Sequence, residues 1–231
     1  MSGIEAVVAV LWVSGIIALT VWTSRRKARK KREAADSYAK LRTFAEGRGW
    51  NYQEVVERVA GGGPWWHRTT GVQGNNVVSG THRGFGFRAH EVHERHNDMD
   101  DGVSTVNVHS CWCLELDVDL PDVRVHRDGL LDTLEHGRAM KVGVPQLDKD
   151  FHIVSRDEER ARAVLLNGLA EFLMTDPRAP ELQLHLSDGR LFAWRDRTAL
   201  NSENLVGPLD YLVDAAGVMG ISAPGRPARV P

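Results

Sequence analysis

Thr105-Val106-Asn107-Val108-His109-Ser110-Cys111-Trp112-Cys113-Leu114-Glu115-Leu116-Asp117-Val118-Asp119-Leu120 alternates along its whole length. The even positions carry Val106, Val108, Trp112, Leu114, Leu116, Val118 and Leu120, with Ser110 the one polar member. The odd positions carry Thr105, Asn107, His109, Cys111, Cys113, Glu115, Asp117 and Asp119. A period of two over this length predicts a long strand with one face on a core and the other toward water or a groove. Pro121 ends it, because proline offers no N–H to a ladder.

Shorter strands surround it. Asn76–Thr81 and Phe85–Val92 flank Arg83-Gly84 and predict a hairpin. Val123–His126 and Phe151–Val154 are short strand candidates. Leu182, Leu184 and Leu186 alternate with polar residues before Asp188-Gly189, and Leu191–Arg195 returns, a second hairpin. Two helices are legible downstream. One follows a capping box of Ser155 and Glu158, buries Ala161, Val164, Leu165, Leu169, Phe172 and Leu173, and ends near Asp176-Pro177. The other holds Leu205, Leu209, Leu212 and Ala216, with Pro208 near its start. Strands that neighbour one another in sequence, with helices to cover them, predict an antiparallel sheet of α+β class. Gly61-Gly62-Gly63-Pro64, followed by Trp65-Trp66-His67, predicts a flexible loop, and Gly129–Arg138 a short helix or loop. The tail, residues 223–231, is too rich in Pro and Gly for a helix and is expected to be disordered.

The N-terminal part obeys a different rule. Ala6–Trp22 carries no charge, and it runs into Arg25, Arg26, Lys27, Arg29, Lys30, Lys31 and Arg32. Such a stretch, extended by Ile4, Thr23 and Ser24, matches the short end of what crosses about 30 Å of hydrocarbon. Basic residues after the span predict a signal anchor with its C-terminal side in the cytoplasm. A cleavable signal peptide places its positive charge before the apolar run and ends in small residues, which this sequence does not do. The seven basic side chains are the expected contacts with lipid headgroups. From Arg25 to Glu46 there is neither Gly nor Pro, so the span is expected to continue into a stalk helix that ends at Gly47 and Gly49. The expected organisation is an anchor over residues 1–24, a basic juxtamembrane segment and stalk over 25–49, a cytosolic α+β domain over 50–222, and the tail.

Charge divides along the same boundary. The first 32 residues hold seven basic groups and one acidic, whereas the remainder holds 22 Lys+Arg against 30 Asp+Glu, a net −8. An acidic domain stands off an anionic membrane and is a poor partner for nucleic acid. Cys111 and Cys113, at i and i+2 of one strand, lie too far apart to bond each other, and reduced thiols suit a cytosolic domain.

Five of the ten histidines, His82, His90, His93, His96 and His109, fall between residues 82 and 109. His90-Glu91-Val92-His93 has the wrong spacing for a helical zinc site, since that chemistry needs histidines four apart. On a strand, residues three apart point to opposite faces. His109, Cys111 and Cys113 leave one face of one strand with zinc-preferring atoms, and a site would need two of them with a neighbouring strand's residue such as His90. The simpler reading is a sheltered face whose free thiols pack as small hydrophobes. No nucleophile elbow, phosphate-cradling loop or cofactor motif occurs, and no residue stands out as catalytic.

The helix end Phe44-Ala45-Glu46-Gly47-Arg48-Gly49-Trp50-Asn51-Tyr52 leads to Gly80-Thr81-His82-Arg83-Gly84-Phe85-Gly86-Phe87. The long strand then closes on Leu120-Pro121, and Leu147-Asp148-Lys149-Asp150-Phe151-His152-Ile153-Val154 follows it. In this order, behind a basic-flanked span, the chain resembles uncharacterised single-pass membrane-anchored proteins of high-GC Gram-positive bacteria. The resemblance covers most of the chain and implies architecture and location, with no activity to carry over.

Three functional expectations remain. The first is a cell-membrane protein whose cytosolic domain, without catalysis, binds another protein or itself. The second is a metal- or small-molecule-sensing module on the His/Cys strand face. The third is an enzyme of unrecognised type.

Overall fold

The computed structural model describes residues 3–59, 72–97, 104–127 and 138–223, with backbone alone at some helix and strand positions, among them 3–11, 13–18, 27 and 30. The predicted flexible loop with Trp65 and Trp66, the Gly129–Arg138 segment apart from Arg138, and the tail beyond Ala223 lie outside the described residues.

One helix, α1, runs unbroken over Gly3–Gly47, about 65–70 Å at the α-helical rise. It stops as its sequence requires. Gly49 takes a left-handed φ of 72°, and the N–H of Trp50 returns to the carbonyl of Ala45 at 2.9 Å. The sheet follows as β1 (Asn51–Val59), β2 (Val72–His82), β3 (Phe85–Asn97), β4 (Ser104–Glu115) and β5 (Val123–Arg127). After α2 (Pro145–Asp150) comes β6 (Phe151–Ser155). Helices α3 (Glu158–Val164) and α4 (Ala170–Thr175) precede β7 (Gln183–Ser187), β8 (Arg190–Arg195) and α5 (Val206–Val218). The eight strands form one antiparallel sheet in the order β1-β2-β3-β4-β8-β7-β5-β6.

Both predicted hairpins form, and their turns explain their residues. Arg83 and Gly84 have φ of 50° and 91°, and Asp188 and Gly189 have 46° and 69°. Two positive φ values in a row match the twist of antiparallel strands. The helices share one face of the sheet. Leu41 and Ala45 of α1, Ala161, Leu165 and Leu173 of the α3–α4 run, and Leu209 and Leu212 of α5 join Phe87, Trp112, Leu114, Leu184 and Ala193 in one core. Fully burying a leucine such as Leu41 contributes about 1.5–3 kcal/mol, so the last turns of α1 are held firmly.

Several expectations need correction. The alternating run stops being a strand at Glu115; its odd positions divide, with His109, Cys111 and Cys113 buried as the sheltered-face reading expects and Glu115, Asp117 and Asp119 exposed. A strand the sequence hid, β1, occupies Asn51–Val59 at the sheet edge with a mostly exposed surface. The capping box does not form. Asp157 caps α3 by accepting the N–H of Arg160 at 3.1 Å, and Ser155 Oγ instead accepts the N–H of Asp157. The helix beyond it breaks at Asn167-Gly168, where Gly168 has φ of 97° and a Cβ would lie 2.7 Å from the carbonyl oxygen of Val218. Ala223, placed in the tail by sequence, is buried against the core.

Among the described residues no helix is long and apolar enough to cross a membrane. Most side chains of the expected span, Ala6–Trp22, lie outside the described set.

Candidate functional site

The odd residues of β3 face the helices: Phe85, Phe87 and Ala89 are buried in the core, and Glu91 continues their parity at 0% exposure. A carboxylate there must be satisfied by the protein or be lost as a charge. It is satisfied from four elements. Glu91 Oε2 accepts Tyr38 Oη of α1 at 3.2 Å, Asn76 Nδ2 of β2 at 2.8 Å and His93 Nε2 at 2.9 Å. Glu91 Oε1 accepts the backbone N–H of Leu200 at 2.8 Å, from the segment between β8 and α5. A bulge makes this possible. β2 gains a residue against β3 between Asn75 and Val78, and Asn76 sits there with φ of 49°, turned toward Glu91. Asn76 Oδ1 in turn accepts Tyr52 Oη at 2.7 Å. Burial, with the Glu91 charge beside it, pushes the Tyr38 phenol up to about 12. These groups form a clamp that fixes the stalk helix to the sheet.

The direction of α1 follows from the same contacts. Ala45 lies at Trp50, at the start of β1, whereas Tyr38 reaches Glu91, whose register partner Asn75 faces Val55 inside β1. Helix and strand therefore run antiparallel, and α1 leaves the sheet past the C-terminal end of β1.

The opposite face carries the sequence-selected His/Cys set. His90 stands directly opposite Cys111, Cys111 opposite Trp194, and Cys113 opposite Phe192. His126 and His152 pair farther along the sheet, with ring centroids 4.9 Å apart. Cross-strand pairing thus sets His90 beside Cys111. No group of three or more His, Cys, Asp or Glu among the described residues is placed to hold a metal ion. Burial pushes both thiols up to about 12, so at neutral pH they are protonated and poor ligands or nucleophiles. His109 is drawn to carboxylates, with Nδ1 2.7 Å from Asp196 and Nε2 3.5 Å from Glu94. His185 holds Asp122 at 2.8 Å and lowers its pKa.

A second polar network ties α5 to its neighbours. Asp214 binds Arg83 of the β2–β3 turn at 2.7 Å and Arg178 at 2.8 Å, and His82 holds Asp210 at 2.8 Å. Arg178 also closes on Asp176, whose pKa it lowers through hydrogen bonds from its side chain and backbone.

Of the basic set expected to meet lipid headgroups, Arg25, Arg26, Arg29, Lys31 and Arg32 are exposed on α1, and the side chains of Lys27 and Lys30 lie outside the described residues. Arg26 lies 5.4 Å over the Trp22 ring. The sequence reading missed Glu91, Asn76 and Leu200. The available signal was parity, because Glu91 puts a charge where Phe85, Phe87 and Ala89 call for an apolar residue.

No family model matches this chain, and no curated protein does. Among solved structures, the mycobacterial trehalose monomycolate transport factor A, TtfA, is similar in fold, with a TM-score of 0.53 at 17% identity over 80% of this chain and 97% of that one. At that identity the similarity shows the fold alone. Its mycobacterial source is a high-GC Gram-positive one, which agrees with the sequence resemblance at that coarse level.

Proposed function

We propose that this chain is a membrane-tethered accessory domain without catalysis, which holds an α+β surface at a fixed distance from the bilayer for a protein partner. One observation carries the reading. On α1 the large apolar side chains Trp12, Leu19, Val21 and Trp22 are 44–70% exposed, with no cover among the described residues. Apolar side chains exposed on a helix next to a basic run call for lipid. The span over Ala6–Trp22 would sit in hydrocarbon, and Arg25–Arg32 would lie among headgroups, each basic group contributing about 1 kcal/mol on an anionic leaflet. The sheet domain would then stand in the cytoplasm. The Glu91 clamp supports the positioning role, since it ties Tyr38 of α1 to β2, β3 and the segment before α5. The similarity in fold to a protein described as a mycobacterial transport factor supports an accessory role in transport.

The test is fractionation of cells expressing the full chain, with labelling of a single exposed cysteine at Asp188→Cys by a membrane-impermeant maleimide. The reading expects the chain in the membrane fraction and labelling after lysis alone. Recovery in the soluble fraction, or labelling of intact cells, overturns it.

A further inference from the structure

Most half-buried arginines of this fold have a carboxylate. Arg124 lies 3.9 Å from Asp122, Arg162 3.7 Å from Glu158, Arg178 2.8 Å from Asp214 and Arg195 2.7 Å from Glu181. Arg88 of β3 and Arg190 of β8 are half-buried as well, yet among the described residues neither side chain makes a hydrogen bond or an ion pair. A guanidinium carries five donors and cannot shed its charge, so losing part of its hydration without an acceptor in exchange is costly.

The two stand on either side of β4 and share a face. Arg88 is directly opposite Cys113, and Arg190 is directly opposite Glu115. Two strand spacings across and two residues along put their Cα atoms about 12 Å apart. Both charges reach Cys113: burial dominates and raises its pKa, while Arg190 and Arg88 each pull it down. Ser187 of β7 is directly opposite Arg190 and adds a hydroxyl to the patch. A carboxylate is at hand and goes unused. Glu115 Oε2 lies over Gly86 of β3, 3.1 Å from where a Cβ would stand, and among the described residues it pairs with neither arginine.

We propose that Arg88 and Arg190, with Ser187, bind the dianionic phosphate group of a soluble phosphate monoester. One guanidinium fork satisfies a carboxylate, whereas a phosphate monoester brings three strong acceptor oxygens and close to two charges, enough for both arginines. Glu115, the carboxylate already in place, takes neither. Its charge opposes the ligand, but the side chain is exposed and water weakens the repulsion. The headgroups of the bilayer that would hold α1 are out of reach. Gly86, Glu115 and Arg190 lie at the sheet end where β1 begins, whereas α1 leaves past the end where β1 stops. That last point alone uses the tethered reading; the two arginines do not depend on it.

The test titrates the full chain, in dodecyl maltoside micelles, with phenyl phosphate by isothermal calorimetry, using benzoate as a carboxylate of similar shape. At about pH 8 the phosphate is a dianion, since its second ionisation falls near pH 6. One saturable site with a Kd below about 1 mM is expected, with benzoate about tenfold weaker or worse. Arg88→Ala and Arg190→Ala should each weaken phenyl phosphate by about tenfold, and Glu115→Gln should strengthen it. Arg58→Ala, which removes an exposed arginine of β1, should leave it unchanged. Because neither arginine holds anything in the free chain, both alanine variants should keep the wild-type unfolding midpoint, and phenyl phosphate should raise that midpoint in wild type alone. Absence of saturable binding, equal affinity for benzoate, or an equal loss in Arg58→Ala overturns the proposal. So does binding that survives in both alanine variants, and Arg88→Lys with Arg190→Lys repeats the comparison if either alanine variant fails to fold. Recovery of the chain in the soluble fraction would remove the tethered reading and leave this site as it stands.

Discussion

Tyr38 of the stalk helix donates its phenolic hydrogen to Glu91 Oε2 at 3.2 Å, across 53 residues of sequence, and so joins α1 to a carboxylate at 0% exposure in the sheet. Removing the acceptor leaves Tyr38, Asn76, His93 and the Leu200 N–H without it. Glu91→Ala is therefore expected to cost about 3–5 kcal/mol, and Tyr38→Phe about 1 kcal/mol. Urea unfolding followed by tryptophan fluorescence measures both. Equal, small losses would mean that the clamp does not hold the stalk.

Close approach, rather than turn geometry, makes Gly80 irreplaceable. A Cβ there would lie 2.4 Å from Cδ1 of Trp50, whose indole N–H is committed to the carbonyl of Thr81 at 3.1 Å. Gly80→Ala should destabilise by about 1–3 kcal/mol through overpacking. Gly47→Ala, with open space around it, should stay within about 0.5 kcal/mol. Thermal unfolding of the two variants side by side checks the contrast.

Alkaline pH should weaken the fold. Tyr38, Cys111 and Cys113 are each pushed up to about 12. Below the ordinary thiol and phenol values, about 8.5 and 10, these groups are protonated whether folded or not. Above those values the unfolded chain releases protons that the folded chain retains, so stability falls as pH rises toward 12. Denaturation midpoints should drop between about pH 8 and about pH 11, and less so in a Cys111→Ala, Cys113→Ala variant. Under native conditions neither thiol should react with a maleimide.

At the acid end the sign reverses. Asp176 is held below the usual carboxylate range by Arg178, and its side chain is 10% exposed. Its stabilisation is present above the ordinary carboxylate value and is lost as pH falls through the depressed one. Asp176→Asn should cost about 1–2 kcal/mol at neutral pH, with a gap from wild type that narrows in acid. A gap that persists unchanged well below the ordinary carboxylate range would show that packing, not charge, was removed.

Periodicity made β3, β4 and β7 readable, because each buries an apolar residue at alternate positions, whereas β8 was read from the Asp188-Gly189 turn and its continuous apolar run, residues 191–194, buried on both faces. β1 escaped because an edge strand with one thinly covered face shows no such rule: Gln53, Glu54, Val55, Glu57 and Arg58 are all exposed. The capping of α3 was misread by two residues, since Ser155 and Asp157 both satisfy the local rule and only the chain's path past β6 selects between them. The Cys/His set was legible as one face, and the reading of a sheltered face with small free thiols matches the burial of Cys111 and Cys113; what lies over that face was not legible, because alternation reports only which residues share a side. The clamp was least legible of all. It joins Tyr38, Asn76, Glu91 and Leu200 through a bulge, and no local pattern announces a bulge at Asn76.

The clamp also imposes an order on manufacture. Leu200 supplies its N–H to Glu91 from 109 residues downstream, so a ribosome has made the stalk long before it has made the last hydrogen bond that secures it. Until β7 and β8 have paired and the segment behind them has swung back, a growing chain carries a half-dressed carboxylate beside its own stalk. Nascent chains arrested before Leu200 should therefore be easier prey for an added protease than chains extended past α5.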